Sequence, residues 1–139
     1  MYKLNELLIL KYGKNQKNVE TSIGYPIYGT SGIIGNANKY LYDKKSILFG
    51  RKGSISRVQF VDEPFWCVDT TFYSIINTDL VIPKYLYYKL STIDFNSFNE
   101  GTTIPSLRAE TLNTIEIEIH NYSEQQHIVN IQRKEQIYV

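Results

Sequence analysis

The chain has 139 residues, of which 42% are hydrophobic and 21% charged, enough apolar content for one buried core and too much for a disordered chain. Lys+Arg 15 against Asp+Glu 14 leave a formal charge of +1, which excludes a histone-like polycation or an acidic tail. The single cysteine, Cys67 in FWCV, can form no internal disulfide and reads as a small core residue in a reducing compartment, and with two histidines it cannot complete a Cys/His zinc site.

In chain order, LNELLIL reads as a short amphipathic helix and residues 12–22 (YGKNQKNVETS) as an exposed polar loop. The segment 25–35, YPIYGTSGIIG, reads as a Gly-punctuated loop. Three runs rich in β-branched and aromatic residues, SILF (46–49), RVQFV (57–61) and TFYSII (71–76), predict strands joined by tight turns. Pro83 suits a first helical turn, so IPKYLYYKLST predicts a helix, followed by a loop from Asn96 to Pro105. Ser106 can cap a short helix over SLRAETLN before the alternating strand TIEIEIH. Ser123 with Gln126 forms a capping-box pattern that opens a last helix over residues 123–139, roughly 25 Å long. No apolar run is long enough to cross a bilayer and the first residues lack a signal-peptide pattern, so a cytoplasmic chain without membrane contact is expected.

Catalytic constellations are absent from the pattern. GTSGIIG lacks the G-x-G-x-x-G order of a dinucleotide loop, GRKGS lacks the rest of a phosphate loop, and neither E-x-K nor N-P-P-[YF] occurs. His120 and His127 read as satisfied or solvent-facing side chains, Glu116 and Glu118 as a solvated strand face, and Asp69 as a structural acid needing hydrogen bonds among aromatics. Trp66, Phe65, Phe72 and Tyr73 read as core.

Charge is unevenly spread along the chain. Between Lys39 and Arg57 lie six cations (Lys39, Lys44, Lys45, Arg51, Lys52 and Arg57) and one anion, Asp43, a net +5 against −4 for the remainder. Tyr40, Tyr42, Phe49, Gly50, Gly53, Ser54 and Ser56 are interleaved with them, a composition suited to a polyanion. A solvated basic hairpin face fits the charge alone equally well.

The ordered series YPIYGTSGIIG, KYLYDKKSILFGRKGSISRVQFV, PFWCVDTTFYSI, YLYYKL, GTTIPSLRAETLNTIEIEI and SEQQHIV, covering about Leu4 to Ile131, resembles a target-recognition domain of the specificity subunit of a type I restriction-modification system. GRKGS alone is weak; G-T-T-I-P-S-L followed by E-Q-Q is specific. Two positions depart from the family pattern: Ser56 stands where glycine is common, and HNY (120–122) replaces a proline ahead of the E-Q pair. Family subunits usually carry two recognition domains separated by long helices. Each domain reads half of a split DNA target, and the helices set the spacing and bind methyltransferase subunits. This chain holds one such domain and a stub of helix, as in a half-subunit, a truncated gene or a fragment.

The resemblance implies an α+β fold, β-rich and irregular, with short helices and a C-terminal helix leading into a truncated spacer. It implies a DNA target-recognition domain over residues 1–122 and the start of a spacer or dimerisation helix over 123–139. It further implies no catalytic role and no cofactor or metal of the chain's own. Methyl transfer and cleavage would belong to methyltransferase subunits, and through them restriction subunits, using S-adenosylmethionine, ATP and magnesium. The expected partners are double-stranded DNA, those subunits, and another specificity chain or a second copy through the C-terminal helix.

The expected contacts to DNA are the six cations named above, Thr102 and Thr103 in the GTTIP loop with Ser106 and Arg108 after it, and Tyr28, Thr30 and Ser31 in the Gly-rich loop. All six cations are expected on one face. Turn and cap bonds are the plain alternative for the loop residues. The competing functions are a truncated specificity fragment that engages methyltransferase or specificity chains with little DNA binding of its own, and a recognition domain of a fused restriction-methylation enzyme.

Overall fold

A computed structural model describes the backbone of residues 1–138 and the side chains of residues 1–134. The chain runs β1 (Tyr2–Lys3), α1 (Leu4–Leu7), β2 (Leu8–Tyr12), β3 (Glu20–Thr21), β4 (Tyr25–Gly29), β5 (Gly32–Ala37) and β6 (Ser46–Gly50). It continues through β7 (Gln59–Val61), β8 (Trp66–Cys67), β9 (Thr71–Ile76), α2 (Pro83–Leu90), a 3-10 turn at Phe95–Phe98, α3 (Ala109–Asn113), β10 (Glu116–Ile117) and α4 (Tyr122–Tyr138). The architecture is α+β.

Strands of one four-stranded sheet lie in the order β2-β9-β6-β7, and those of a second in the order β3-β5-β4-β8, while β1 pairs with β10. In the first sheet all neighbours are antiparallel. Strand β6, SILFG, is buried at every position, which is why its sequence is continuously apolar after Ser46. Its pleat divides the interior: Ile47 and Phe49 join Leu8, Phe72, Leu86, Leu90, Phe95 and Leu112 in the main core, whereas Leu48 turns to the other face with Val61, Phe65 and Cys67. A third small cluster, Val19, Ile27, Ala37, Trp66 and Val68, lies in the second sheet.

Backbone pairing of β6 with β9 is confined to Phe49↔Phe72 and Gly50↔Thr71. Further along, two buried hydroxyls take over the ladder. Ser74 Oγ donates to the Ile47 carbonyl (2.8 Å) and accepts from the Ile47 N–H (3.0 Å). Reciprocally, Ser46 Oγ donates to the Ser74 carbonyl (2.7 Å) and accepts from the Ser74 N–H (2.9 Å). Strands that are too far apart for direct bonding thus stay satisfied in a dry interior.

The C-terminal helix is anchored by another buried polar residue. Gln125 Oε1 accepts from the Ile82 N–H (2.8 Å), and its Nε2 donates to the carbonyls of His120 (2.9 Å) and Leu80 (3.1 Å). This ties the first turn of α4 to the start of α2, where Pro83 occupies the first turn as its sequence suggests. Beside it the Tyr85 hydroxyl accepts from the His120 N–H (3.0 Å) and lies 2.6 Å from His120 Nδ1. His120 is therefore satisfied, as read from the sequence.

Several sequence expectations are corrected. LNELLIL is helical only to Leu7; Leu8–Tyr12 instead pairs with Phe72–Ile76, because the exposed ladder of β9 outweighs the helical period. Residues 25–35 form not a loop but most of a hairpin, with Gly29↔Gly32 closing a turn at Thr30–Ser31. RVQFV is strand only over its last three residues, and residues 51–58 between β6 and β7 form a long excursion rather than a tight turn. Ser106 does not cap α3: Arg108 stands at the N-cap position without a side-chain cap bond, and the backbone of Ser106 bridges to Lys52. TIEIEIH keeps its alternation, with Ile115 and Ile117 buried, but β1 offers only two residues to pair with. The cap of α4 is Asn121, whose Oδ1 accepts from the Glu124 N–H (2.9 Å) and whose Nδ2 donates to Glu124 Oε1 (2.7 Å), displacing the Ser123–Gln126 pattern.

Ser74→Ala leaves both backbone groups of Ile47 without their hydroxyl partner, and it is expected to lower unfolding free energy by about 1–3 kcal/mol, seen as a lower urea midpoint with an unchanged slope.

Candidate nucleic-acid interface

Three strands of the first sheet terminate at a common end: β2 stops at Tyr12, opposite Phe72; β6 stops at Gly50, opposite Thr71; β7 begins at Gln59, opposite Leu48. The turn over Asp69 and Thr70 leads into β9 at the same end. The β4–β5 hairpin points there too. Strand β4 runs parallel to β8 with Tyr28 beside Cys67, and the Gln59 Nε2 donates to the Gly29 carbonyl (2.8 Å). Continued along the chain, this parallel register brings Thr30 and Ser31 at the hairpin tip level with the Asp69–Thr70 turn.

The excursion after β6 returns to this end as well. Arg51 and Lys52 both donate their N–H to the Thr70 carbonyl (2.8 and 3.2 Å), and Gly53 donates to the Pro105 carbonyl (2.9 Å). Gly53 has φ +94°, a conformation that an L side chain rarely adopts, so the turn in R-K-G-S needs glycine. The facing GTTIP loop is closed by Asn99, whose Oδ1 accepts from the N–H groups of Gly101 and Ser106 (2.9 Å each). A Cβ on Gly101 would lie 1.8 Å from the Ile104 carbonyl oxygen, so this fold-back also requires glycine. Thr102, Thr103, Ile104 and Pro105 are exposed on its outer side, and among the described residues neither threonine hydroxyl makes a protein hydrogen bond.

Arg51 is tethered by its side chain as well as by its backbone. Its Nε donates to the Asp69 carbonyl (2.9 Å), and its guanidinium carbon lies 5.6 Å from the centroid of the Tyr12 ring. Tyr12, Arg51, Phe72, Leu107, Arg108 and Thr111 line part of an open cleft of about 320 Å³, completed by Glu100, Ala109 and Glu110. Arg108 pairs with Glu100 at 3.6 Å, the only salt bridge among the described residues, and Glu100 also accepts from the Thr111 hydroxyl.

The structure brings together Arg51, Lys52, Thr102, Thr103, Ser106 and Arg108, with Thr30 and Ser31 on the neighbouring hairpin. It does not bring together all six cations. Lys44 and Lys45 precede β6 and line a recess with Ile76, Thr78 and Pro83, at the end of the sheet away from Arg51. Five residues of strand separate the two groups, roughly 17 Å. Lys39 follows the base of the hairpin, remote from its tip, and Arg57 borders a different recess with Tyr87, Leu90 and Ser91. The expected single face is therefore split. Tyr28 is half-buried, its ring edge-on to Phe65 with centroids 6.2 Å apart, and burial, reinforced by Glu63, pushes its phenol up. It packs rather than protrudes. Asp69 is exposed, and its carbonyl rather than its carboxylate bonds Arg51.

Tyr12, Lys14, Gln59 and Asn99 belong to this region and were not singled out by sequence pattern. Lys14 is exposed, while its N–H donates to the Cys67 carbonyl (2.9 Å) and its carbonyl accepts from Trp66 Nε1 (2.8 Å). Only Asn99, two residues before Gly101, carries a local signature, that of an Asx turn. Trp66, Phe65, Phe72 and Cys67 are core, and burial pushes the Cys67 thiol up to about 11. Among the described residues no group of three or more His, Cys, Asp or Glu could hold a metal ion, and no helix is long and apolar enough to cross a membrane.

These features define an α+β domain whose loops gather at one end of a sealed sheet. Residues 1–134 match the type I restriction modification DNA specificity domain, and the chain belongs to that family. Over 106 residues it is 30% identical to the type I restriction enzyme MjaIX specificity subunit of Methanocaldococcus jannaschii, a match covering 73% of this chain and 24% of that protein. The type I restriction-modification S subunit from M. genitalium superposes with a TM-score of 0.81 at 26% identity, over 93% of this chain and 36% of that one. The HsdS subunit from Thermoanaerobacter tengcongensis shares the fold, with a TM-score of 0.66 at 14% identity over 98% of this chain and 37% of that one. The chain thus spans between about a quarter and two fifths of the length of these relatives.

Asn99→Ala should speed hydrogen exchange at the Gly101 and Ser106 amides by roughly 5- to 10-fold, the loss of about one net hydrogen bond at each, while amides of β6 stay protected. Cys67 should resist iodoacetamide at pH 8 in the folded chain and react on unfolding. Its raised folded pKa means that the native state holds the proton longer, so this group's contribution to stability is full below about pH 9 and declines as pH rises towards 11.

Proposed function

We propose that this chain is the target-recognition part of a specificity subunit and that it binds double-stranded DNA sequence-specifically through the loop-bearing end of its first sheet. The family match over residues 1–134 carries this reading. The clustering of Arg51, Lys52 and Lys14 with half-buried Thr30 and the exposed Ser31, Thr102 and Thr103 supports the placement of the surface. Lysines there neutralise phosphates and fix register, while loop side chains reach base edges in the major groove. Lys39, Lys44, Lys45 and Arg57 lie outside this surface, and Arg108 acts through its pairing with Glu100.

On the same reading residues 1–122 form the recognition domain and residues 123–139 begin a spacer helix, anchored by Gln125. The chain reads one half of a split target and directs methyltransferase subunits and, through them, restriction subunits, which perform methyl transfer and cleavage. It works where chromosomal and invading DNA meet, in the cytoplasm. A second reading, an interaction module for methyltransferase or specificity chains, draws on the exposed Ile23, Tyr25, Ile33 and Ile34 along the β4–β5 hairpin. Co-elution with methyltransferase subunit without any duplex binding would favour it.

The decisive comparison uses two double variants in a salt titration of duplex binding, with methyltransferase subunit present. R51A/K52A should weaken binding and reduce the slope of log K against log salt by about 1. K44A/K45A should leave affinity within about twofold and the slope nearly unchanged. The opposite ranking would place the DNA on the other end of the sheet and overturn the proposed surface.

A further inference from the structure

The constraints on Arg51 say more than that a cation is present. A lysine that neutralises a phosphate works as a mobile point charge. Arg51 is held differently. Its backbone is fixed on both sides, the N–H to the Thr70 carbonyl and the carbonyl to the Leu107 N–H (2.9 Å). Its Nε is fixed to the Asp69 carbonyl, and its guanidinium carbon sits over the Tyr12 ring, 5.6 Å from the centroid. These contacts use the Nε–H and place the guanidinium over the aromatic ring. They leave the N–H groups of Nη1 and Nη2, which make no protein hydrogen bond among the described residues. What remains is an end-on pair of donors on a tethered side chain, a fork that fits two adjacent acceptors, whether a guanine edge or two phosphate oxygens.

The charge around it selects between ligands. The cleft that Arg51 lines carries Arg108 but also Glu100 and Glu110, so its formal charges cancel, and the exposed Asp69 adds a further carboxylate beside the Arg51 tether. A phosphate gains little from such surroundings, whereas a neutral acceptor edge does not suffer from them. Lys52 and Lys14, exposed and outside that set of carboxylates, suit the phosphates better.

Resting on the duplex-recognition reading above, we infer that Arg51 is a base-reading residue that takes the O6 and N7 acceptors of one guanine in the target, and that Tyr12 is a positioning residue that holds its fork. The ring face, not the hydroxyl, performs this positioning. Arg51 therefore sets specificity at one base pair, and substituting it changes which sequences are bound more than how strongly duplex DNA is bound in general.

The test is selection from a randomised duplex pool by the full chain with methyltransferase subunit, followed by binding to the recovered consensus and to its 7-deazaguanine analogue at each guanine. Wild type should show one guanine where the 7-deaza substitution and any base change reduce binding by roughly 5- to 150-fold. R51A and R51K should both lose discrimination at that position alone and become indifferent to the 7-deaza substitution there. Y12F should keep the wild-type profile, and Y12L should lose it. If R51K restores binding, or if R51A weakens all sequences equally with a shallower salt slope, Arg51 is a phosphate contact and the inference fails while duplex recognition stands. A folded wild-type complex that enriches no sequence overturns duplex recognition and this inference together. Circular dichroism on each variant separates these outcomes from misfolding, and Y12L carries the test independently of any change at position 51.

Discussion

Strand β6 is sealed on both faces, and the rest of the molecule depends on that constraint. One face packs under the helices through Ile47 and Phe49, the other against Phe65 and Cys67 through Leu48. A strand buried in this way cannot slip by one residue without exchanging its two faces. The reciprocal bonds of Ser46 and Ser74 add a polar register mark in a region where backbone pairing has ceased. The loops at the end of β6 inherit this rigidity, so an arginine one residue past the strand is placed by the core rather than by the loop.

Electrostatics here are local, not global. A chain with formal charge +1 has no strong field to steer a polyanion, and the sequence cluster between Lys39 and Arg57 does not compensate for this. A strand lies between Lys45 and Arg51, and its rise of about 3.3 Å per residue carries the two basic pairs to opposite ends of a sheet. Cations distant in sequence replace the missing ones: the pairing of β2 with β9 delivers Tyr12 and Lys14 to the turn that holds Arg51. The surface that results combines few charges with many hydroxyls and exposed backbone, a composition in which geometry rather than charge density discriminates.

The exit of the chain is equally determined by a single side chain. Gln125 is fully buried, bonded to residues 80, 82 and 120, and it fixes the direction in which α4 leaves the domain. The E-Q-Q run thus has a structural meaning that its helical pattern does not reveal: its first glutamine is a clamp. The acid before it joins Asn121 in the cap, which uses the same residue chemistry as the expected box two positions upstream.

Composition and local pattern were sufficient for strands β6 and β9, for α2 with Pro83 in its first turn, for Phe65, Trp66 and Phe72 in the core and for the buried cysteine, because each depends on burial periodicity or on a residue's own backbone preference. The ordered motifs carried the family and, with it, the α+β fold class. What sequence could not supply was every feature created by pairing between distant segments. LILKY became a strand because β9 offered unpaired backbone groups, and YPIYGTSGIIG became a hairpin because its bulged partner strand could be sealed against Trp66. Ser106 lost its capping role to a bridge with Lys52. The candidate surface divides along the same line. Residue types suited to DNA were legible as types, but which of them share a face is a property of strand direction and register, and these are fixed only when non-local hydrogen bonds and packing close the sheet.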